Sequence, residues 1–114
     1  MAFFEKIFSI SSETEFNTIA LEMFDFQMQK NPLYAKFVDG LGRASPRPNH
    51  YTEIPCLPIE FFKSHKILID DANTDQYFAS SGTTGNNTSK HFIADFNLYE
   101  KSFTKSFEYF FRNP

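Results

Sequence analysis

Four prolines, Pro46, Pro48, Pro55 and Pro58, constrain this chain more than any other feature. Each fixes its own φ, removes a backbone donor and drives the preceding residue out of the helical region. No helix or central strand can run across that stretch. Residues 42–58 therefore read as a Pro-rich connector crossing the surface in extended conformation. It divides a single unit, 1–114, into a helical segment at 1–41 and a segment of strands, loop and final helix at 59–114. At 114 residues this is one domain's length, with no internal repeat.

The first segment has clear punctuation. Ser12 and Glu15 form a capping-box pattern, and Phe16, Ile19, Ala20, Met23 and Phe24 follow at helical spacing until Asn31-Pro32 stops the run. A helix is expected from Glu13 to Lys30. A second should begin on Pro32 and leave through Gly40, the usual proline-in, glycine-out asymmetry.

Beyond the connector, Pro58-Ile59-Glu60-Phe61-Phe62-Lys63 suggests a short helix starting on Pro58, with Glu60 and Lys63 as a surface ion pair. Ile67-Leu68-Ile69 reads as a strand before a turn at Asp70-Asp71-Ala72-Asn73. Gln76–Ala79 and Lys90–Ala94 read as two strands around a polar loop from Ser80 to Ser89. Asp95 caps a last helix with Phe96, Tyr99, Phe103, Phe107 and Phe110 at steps of 3, 4, 4 and 3, the pattern of a core face. The expected class is α+β: N-terminal helices, a short β-hairpin bearing a Gly/Ser/Thr loop, and a C-terminal helix.

Charge and composition exclude several functions. Eleven Lys plus Arg against fourteen Asp plus Glu give a net charge of −3, which argues against a nucleic-acid partner. No run approaches the 18 or more apolar residues of a membrane span. The N-terminal apolar stretch is interrupted by Glu5 and Lys6, so it lacks a signal-peptide core, and a cytoplasmic protein is the expectation. A single cysteine, Cys56, reads as a small buried hydrophobe. His50, His65 and His91 match no metal-ligand spacing, and Asp70, Asp71 and Asp75 lack the glycine and terminal glutamate of a calcium loop. The sequons at Asn86 and Asn87 mark no more than a polar loop, and no nucleophile elbow is present. The sequence nominates neither a catalytic residue nor a metal ligand.

One segment points to chemistry. In Ser80-Ser81-Gly82-Thr83-Thr84-Gly85, two glycines can turn successive backbone N–H groups into one concavity while four hydroxyls add donors around it. A polyphosphate needs such donors from several directions without bulk between them, and the hydroxyls also suit a phosphate-bound Mg²⁺. Lys90 lies five residues beyond Gly85, and a strand rather than a helix follows, so this is not a Walker loop. The alternative is a hairpin loop whose Ser, Thr and Gly serve only flexibility.

That hexapeptide resembles the phosphate-binding signature of the adenylate-forming enzymes, the superfamily of acyl-CoA synthetases and phenylacetate-CoA ligases. Thr88-Ser89-Lys90, then Asp95 and Tyr99-Glu100-Lys101-Ser102-Phe103, are similar to the acyl-protein synthetase branch, which includes the synthetase of the bioluminescence fatty acid reductase complex. The likeness runs from Ile54 to Phe107. It implies an N-terminal part of an α/β parent that joins a fatty acid to ATP as an acyl-adenylate and passes the acyl group to a thiol. Ser80, Ser81, Gly82, Thr83, Thr84, Gly85 and Lys90 would then hold ATP with Mg²⁺, and an acyl carrier or reductase would be the partner. Members of the superfamily place the adenine pocket and the catalytic lysine well after this loop, so a fragment inactive by itself is expected. The competing expectation is a non-catalytic interaction module, docking or self-associating through its aromatic helix.

Overall fold

The computed structural model describes residues 5–42, 47–70, 72, 74–80 and 88–111. It opens with a 3-10 turn at Ile7–Ser9 and then helix α1, Glu13–Lys30, at the expected bounds. Ser12 Oγ accepts from Glu15 N at 3.1 Å, but the Glu15 carboxylate accepts from Ser11 N at 3.0 Å rather than from Ser12, so the reciprocal half of the box is displaced by one residue.

Asn31 joins α1 to helix α2, Pro32–Gly40, and caps both. Its N–H donates to Gln27 O at 2.8 Å, closing α1, while its Oδ1 accepts from Tyr34 N at 3.2 Å, opening α2. Its Nδ2 donates to Gln27 Oε1 at 3.1 Å, which completes the polar needs of a residue that is only 6% exposed. Gly40 does not make the exit turn. It stays helical, and the left-handed residue is Gly42, φ 67°, whose N–H reaches Asp39 O at 3.3 Å.

The core lies between α1 and α2. Phe24, Tyr34 and Val38 are buried there, with Met28, Phe37, Ile54 and Leu57 packed against them. The last two come from the connector, which corrects the expectation of a surface crossing. A 3-10 turn at Tyr51–Glu53 is pinned to α1 by Tyr51 N donating to Asn17 Oδ1 at 2.8 Å and by the edge-on Phe16–Tyr51 ring pair at 4.9 Å. Tyr34 donates its hydroxyl to Pro55 O at 2.6 Å, and both Pro48 and Pro55 are buried. The prolines stiffen a strap that closes the core, because they remove donors that burial would leave unpaired. Cys56 is exposed, another correction: in this extended strap Pro55 takes the inward position and its neighbour turns outward.

Asp25 receives Arg47 in a two-pronged contact, Nε to Oδ1 and Nη2 to Oδ2 both at 3.1 Å. Hydrogen bonding first, and charge second, hold the guanidinium pKa above its ordinary value, against a small opposing effect of desolvation. The pair is solvated, so it orients the strap more than it stabilises it.

After the strap, Phe61 N and Phe62 N donate to Pro58 O and Ile59 O at 3.1 and 3.0 Å, forming a tight turn before the single helical turn α3, Phe61–Ser64. The helix thus begins three residues later than expected, and no ion pair joins Glu60 to Lys63; Lys66 instead approaches Asp75 at 3.8 Å. Ile67–Ile69 does not form a strand: no described residue pairs with it as a ladder. Asp70 N donates to Lys30 O at 2.7 Å and ties this segment to the end of α1.

Strands β1, Tyr77–Ala79, and β2, Lys90–Phe92, form a two-stranded antiparallel sheet, and both are shorter than expected. Helix α4 spans Phe96–Phe110, with Asp95 Oδ1 accepting from Leu98 N at 3.1 Å. The architecture is mixed and helix-rich, α+β at the coarse level. No helix among the described residues is long and apolar enough to cross a membrane.

The aromatic stripe of α4 overturns its expected role as core. Exposure rises along it, from 39% at Tyr99 through 52% at Phe103 and 63% at Phe107 to 75% at Phe110. Among the described residues its first turns meet the rest of the chain through Tyr99, stacked on Phe78 at 4.9 Å, and Lys101, whose Nζ lies 4.8 Å above the Phe8 ring.

Candidate functional site

The hairpin is the element that carries the nominated residues. Three-residue strands are marginal alone, so what surrounds them matters. Tyr77 pairs with Phe92, Phe78 with His91 and Ala79 with Lys90, and the register continues outward through Ile93 N to Gln76 O at 2.9 Å and Ser80 N to Ser89 O at 3.0 Å. Strand alternation sorts the side chains into two faces. Tyr77, Ala79, Lys90 and Phe92 share one, where the Tyr77 and Phe92 rings lie 5.1 Å apart and Lys66 Nζ sits 4.7 Å above Phe92. Phe78, Ser80, Ser89 and His91 share the other. There Phe78 stacks on Tyr99 of α4, and His91 stacks on Phe62 of α3 at 4.4 Å and 26°.

The loop therefore leaves and re-enters a ladder clamped from both ends of the chain's second half. Its root is Ser80 opposite Ser89. Ser80 Oγ and Ser89 Oγ are 2.7 Å apart, Ser89 N donates to Ser80 Oγ at 3.1 Å, and Ser89 Oγ lies 3.0 Å from His91 Nε2. Ser89 is 4% exposed, whereas Ser80 is open to solvent.

Of the nominated residues, Ser80 stands at this root and Lys90 on β2. Ser81, Gly82, Thr83, Thr84 and Gly85 lie outside the described residues. Lys90 is not gathered with Ser80: it occupies the opposite face, and its Nζ lies 5.1 Å above the Tyr77 ring, back along the hairpin. Ser89 and His91 were not singled out from the sequence as members of the site. The available signal was the two-residue spacing of Ser89 and His91 on a strand, which puts both on one face, opposite Ser80 if the hairpin is in register.

The three histidines fall in separate places: His50 beside Thr52, His65 beside Ser64, and His91 beside Ser89. Among the described residues no group of three or more His, Cys, Asp or Glu is placed to hold a metal ion.

A cleft of about 620 Å³ lies between the C-terminal part of α1, residues 67–69 with Ala72, and the start of α4. Phe26, Ile67, Leu68, Ile69, Phe92 and Leu98 line it with apolar surface. Its polar members Asn31 and Asp95 are already engaged in capping. Comparison with protein families, with curated proteins and with solved structures finds no match to this chain.

Proposed function

We propose that this chain is the phosphate-gripping portion of an ATP-dependent acyl-activating ligase of the acyl-protein synthetase type. In that reaction a carboxylate attacks the α-phosphate of ATP, giving an acyl-adenylate and pyrophosphate, and the acyl group then passes to a thiol. Ser80 through Gly85, with Thr83 and Thr84 as the principal hydroxyl donors, hold the β- and γ-phosphates and stabilise the charge that collects on the departing pyrophosphate. The Thr83 and Thr84 hydroxyls would also hold a phosphate-bound Mg²⁺, which would offset the charge of the phosphates. Lys90 joins them only by leaving the Tyr77 ring.

One observation carries this assignment: the Ser-Ser-Gly-Thr-Thr-Gly sequence springs from an antiparallel hairpin whose root is closed by paired serines. A closed root fixes both ends of a glycine-containing loop, which lowers the entropy lost when its amides converge on an anion. The apolar cleft beside α4 supports the acyl half, since its walls suit a hydrocarbon chain.

The loop sequence predicts that Mg-pyrophosphate and Mg-ATP bind with similar affinity in calorimetry, because the phosphates make the contacts. Thr84→Ala should weaken both about tenfold, the loss of a hydrogen bond to a charged group. Unchanged affinity in Thr84→Ala would remove the loop from the nucleotide site.

A second function, an interaction module, is favoured by a separate observation: Phe103, Phe107 and Phe110 lie on one face of α4 and are all more than half exposed. Such a face is costly in water and suits docking or self-association.

A further inference from the structure

We propose that α4 pairs with the α4 of a second copy of this chain, running antiparallel to it about a two-fold axis at Phe103. This rests on the reading of α4 as an interaction face and supplies its partner and its register.

The spacing of the stripe carries the pairing. Phe96, Tyr99, Phe103, Phe107 and Phe110 follow at steps of 3, 4, 4 and 3, which read the same from either end. Reversing the helix about Phe103 therefore brings Phe96 level with Phe110 of the second copy and Tyr99 level with its Phe107. A two-fold contact needs one surface that complements itself, and a stripe with palindromic spacing is such a surface. An unrelated partner places no such demand on the spacing.

The rings also interleave. At about 100° per residue, Tyr99 lies about 40° to one side of Phe103 and Phe107 about 40° to the other, while Phe96 and Phe110 diverge by about 20° each. The two-fold axis keeps every ring on its own side of the seam. Level partners thus come from opposite sides and fill each other's gaps, and Phe103 alone faces its own counterpart. Offset and edge-on aromatic contacts of this kind add to the burial itself.

The rest of the helix leaves the stripe free for this. Leu98 and Ser102 line the cleft and Lys101 lies over Phe8, so α4 rests on its own chain by other sides. Lys105 approaches Glu108 at 4.0 Å away from the stripe, which holds no charged residue. At about 200 Å² per ring, the five rings expose about 550 Å² on each copy. That is close to the roughly 600 Å² per partner at which stable interfaces begin.

Cysteine cross-linking of the full chain reads the register, in a Cys56→Ser background because the native thiol is exposed. Facing helices bring their nearest Cα atoms within disulfide reach. Phe103→Cys should join to itself on mild oxidation. Tyr99→Cys and Phe107→Cys should each stay single when oxidised alone and cross-link when mixed, and Lys105→Cys, on the outer side, should give no dimer. A charge exchange checks the axis without thiols: Phe103→Glu and Phe103→Lys should each lose the dimer in sedimentation and regain it when mixed, because the two side chains meet. Phe107→Cys joined to itself, a dimer through Lys105→Cys, or no recovery on mixing the charged variants would overturn the antiparallel pairing alone. A monomer at every concentration, with no cross-link at Phe103→Cys, would overturn the pairing together with self-association through α4 and leave the stripe to a different partner.

Discussion

At the residue scale, Tyr34 and Asn31 do most to define the described core. Tyr34 fills the space between α1 and α2 with its ring, 6.1 Å from Phe24 and edge-on, and reaches the strap with its hydroxyl. Tyr34→Phe leaves the ring but orphans the buried Pro55 carbonyl. It should lower unfolding free energy by about 1–2 kcal/mol, read from the urea midpoint at unchanged slope. A midpoint shift too small to resolve would mean that water reaches Pro55 O. The helical role of Asn31-Pro32 was legible in the sequence, because a proline both ends one helix and starts the next. The burial of Tyr34 was not, because it depends on where a segment about twenty residues away folds back.

At the element scale, caps and clamps explain which segments become regular. Ser12 caps α1 in solvent, whereas Asn31 caps α2 while buried and also anchors α1. Asn31→Ala should therefore cost about 1–2 kcal/mol and Ser12→Ala nearer 0.5–1, a ranking that parallel thermal or urea melts would check. The strap and the hairpin show the converse. Residues 47–58 have no regular pattern in the sequence, yet they close the core through the buried Pro48 and Pro55. Ile67-Leu68-Ile69 has the composition of a strand but no pairing neighbour among the described residues, and it lines a cleft instead. Strand propensity is a statement about fitting a pleated surface, and without that surface it specifies nothing. The hairpin of Tyr77–Ala79 and Lys90–Phe92 does have its surface, supplied by Phe62, Tyr99 and Lys66.

At the scale of the whole molecule, the chain is open for its size. Its radius of gyration is 16.1 Å, where about 13 Å is usual at this length. Its accessible surface is 8494 Å², against about 6,450 Å² from the usual scaling with mass, an excess of about 2,000 Å². That excess is the area of a substantial protein interface, and the outer turns of α4 hold the most exposed rings in it. Light scattering should accordingly find concentration-dependent association. Phe107→Ser with Phe110→Ser should abolish it while changing the unfolding free energy by no more than about 0.5 kcal/mol, because both rings are mostly exposed and their ring contacts stay within α4 among the described residues. A monomer at all concentrations would exclude self-association through α4, and a large loss of stability would show that the stripe is packed in solution.

What the sequence determined by itself was local: the bounds of α1 and α2, the capping of α4 by Asp95, and a hairpin around the Ser-Ser-Gly-Thr-Thr-Gly loop. Each depends on neighbours within a few residues, where proline, glycine and side-chain caps act directly on the backbone. The tertiary structure decided the rest. It buried Pro48 and Pro55 of the strap and exposed Cys56, left Ile67–Ile69 without a ladder partner among the described residues, and set Ser80, Ser89 and His91 in one hydrogen-bonded chain while laying Lys90 on the other face. It also left the aromatic stripe of α4 open. Periodicity says that a helix has an apolar face, but only the placement of other elements says whether anything covers it.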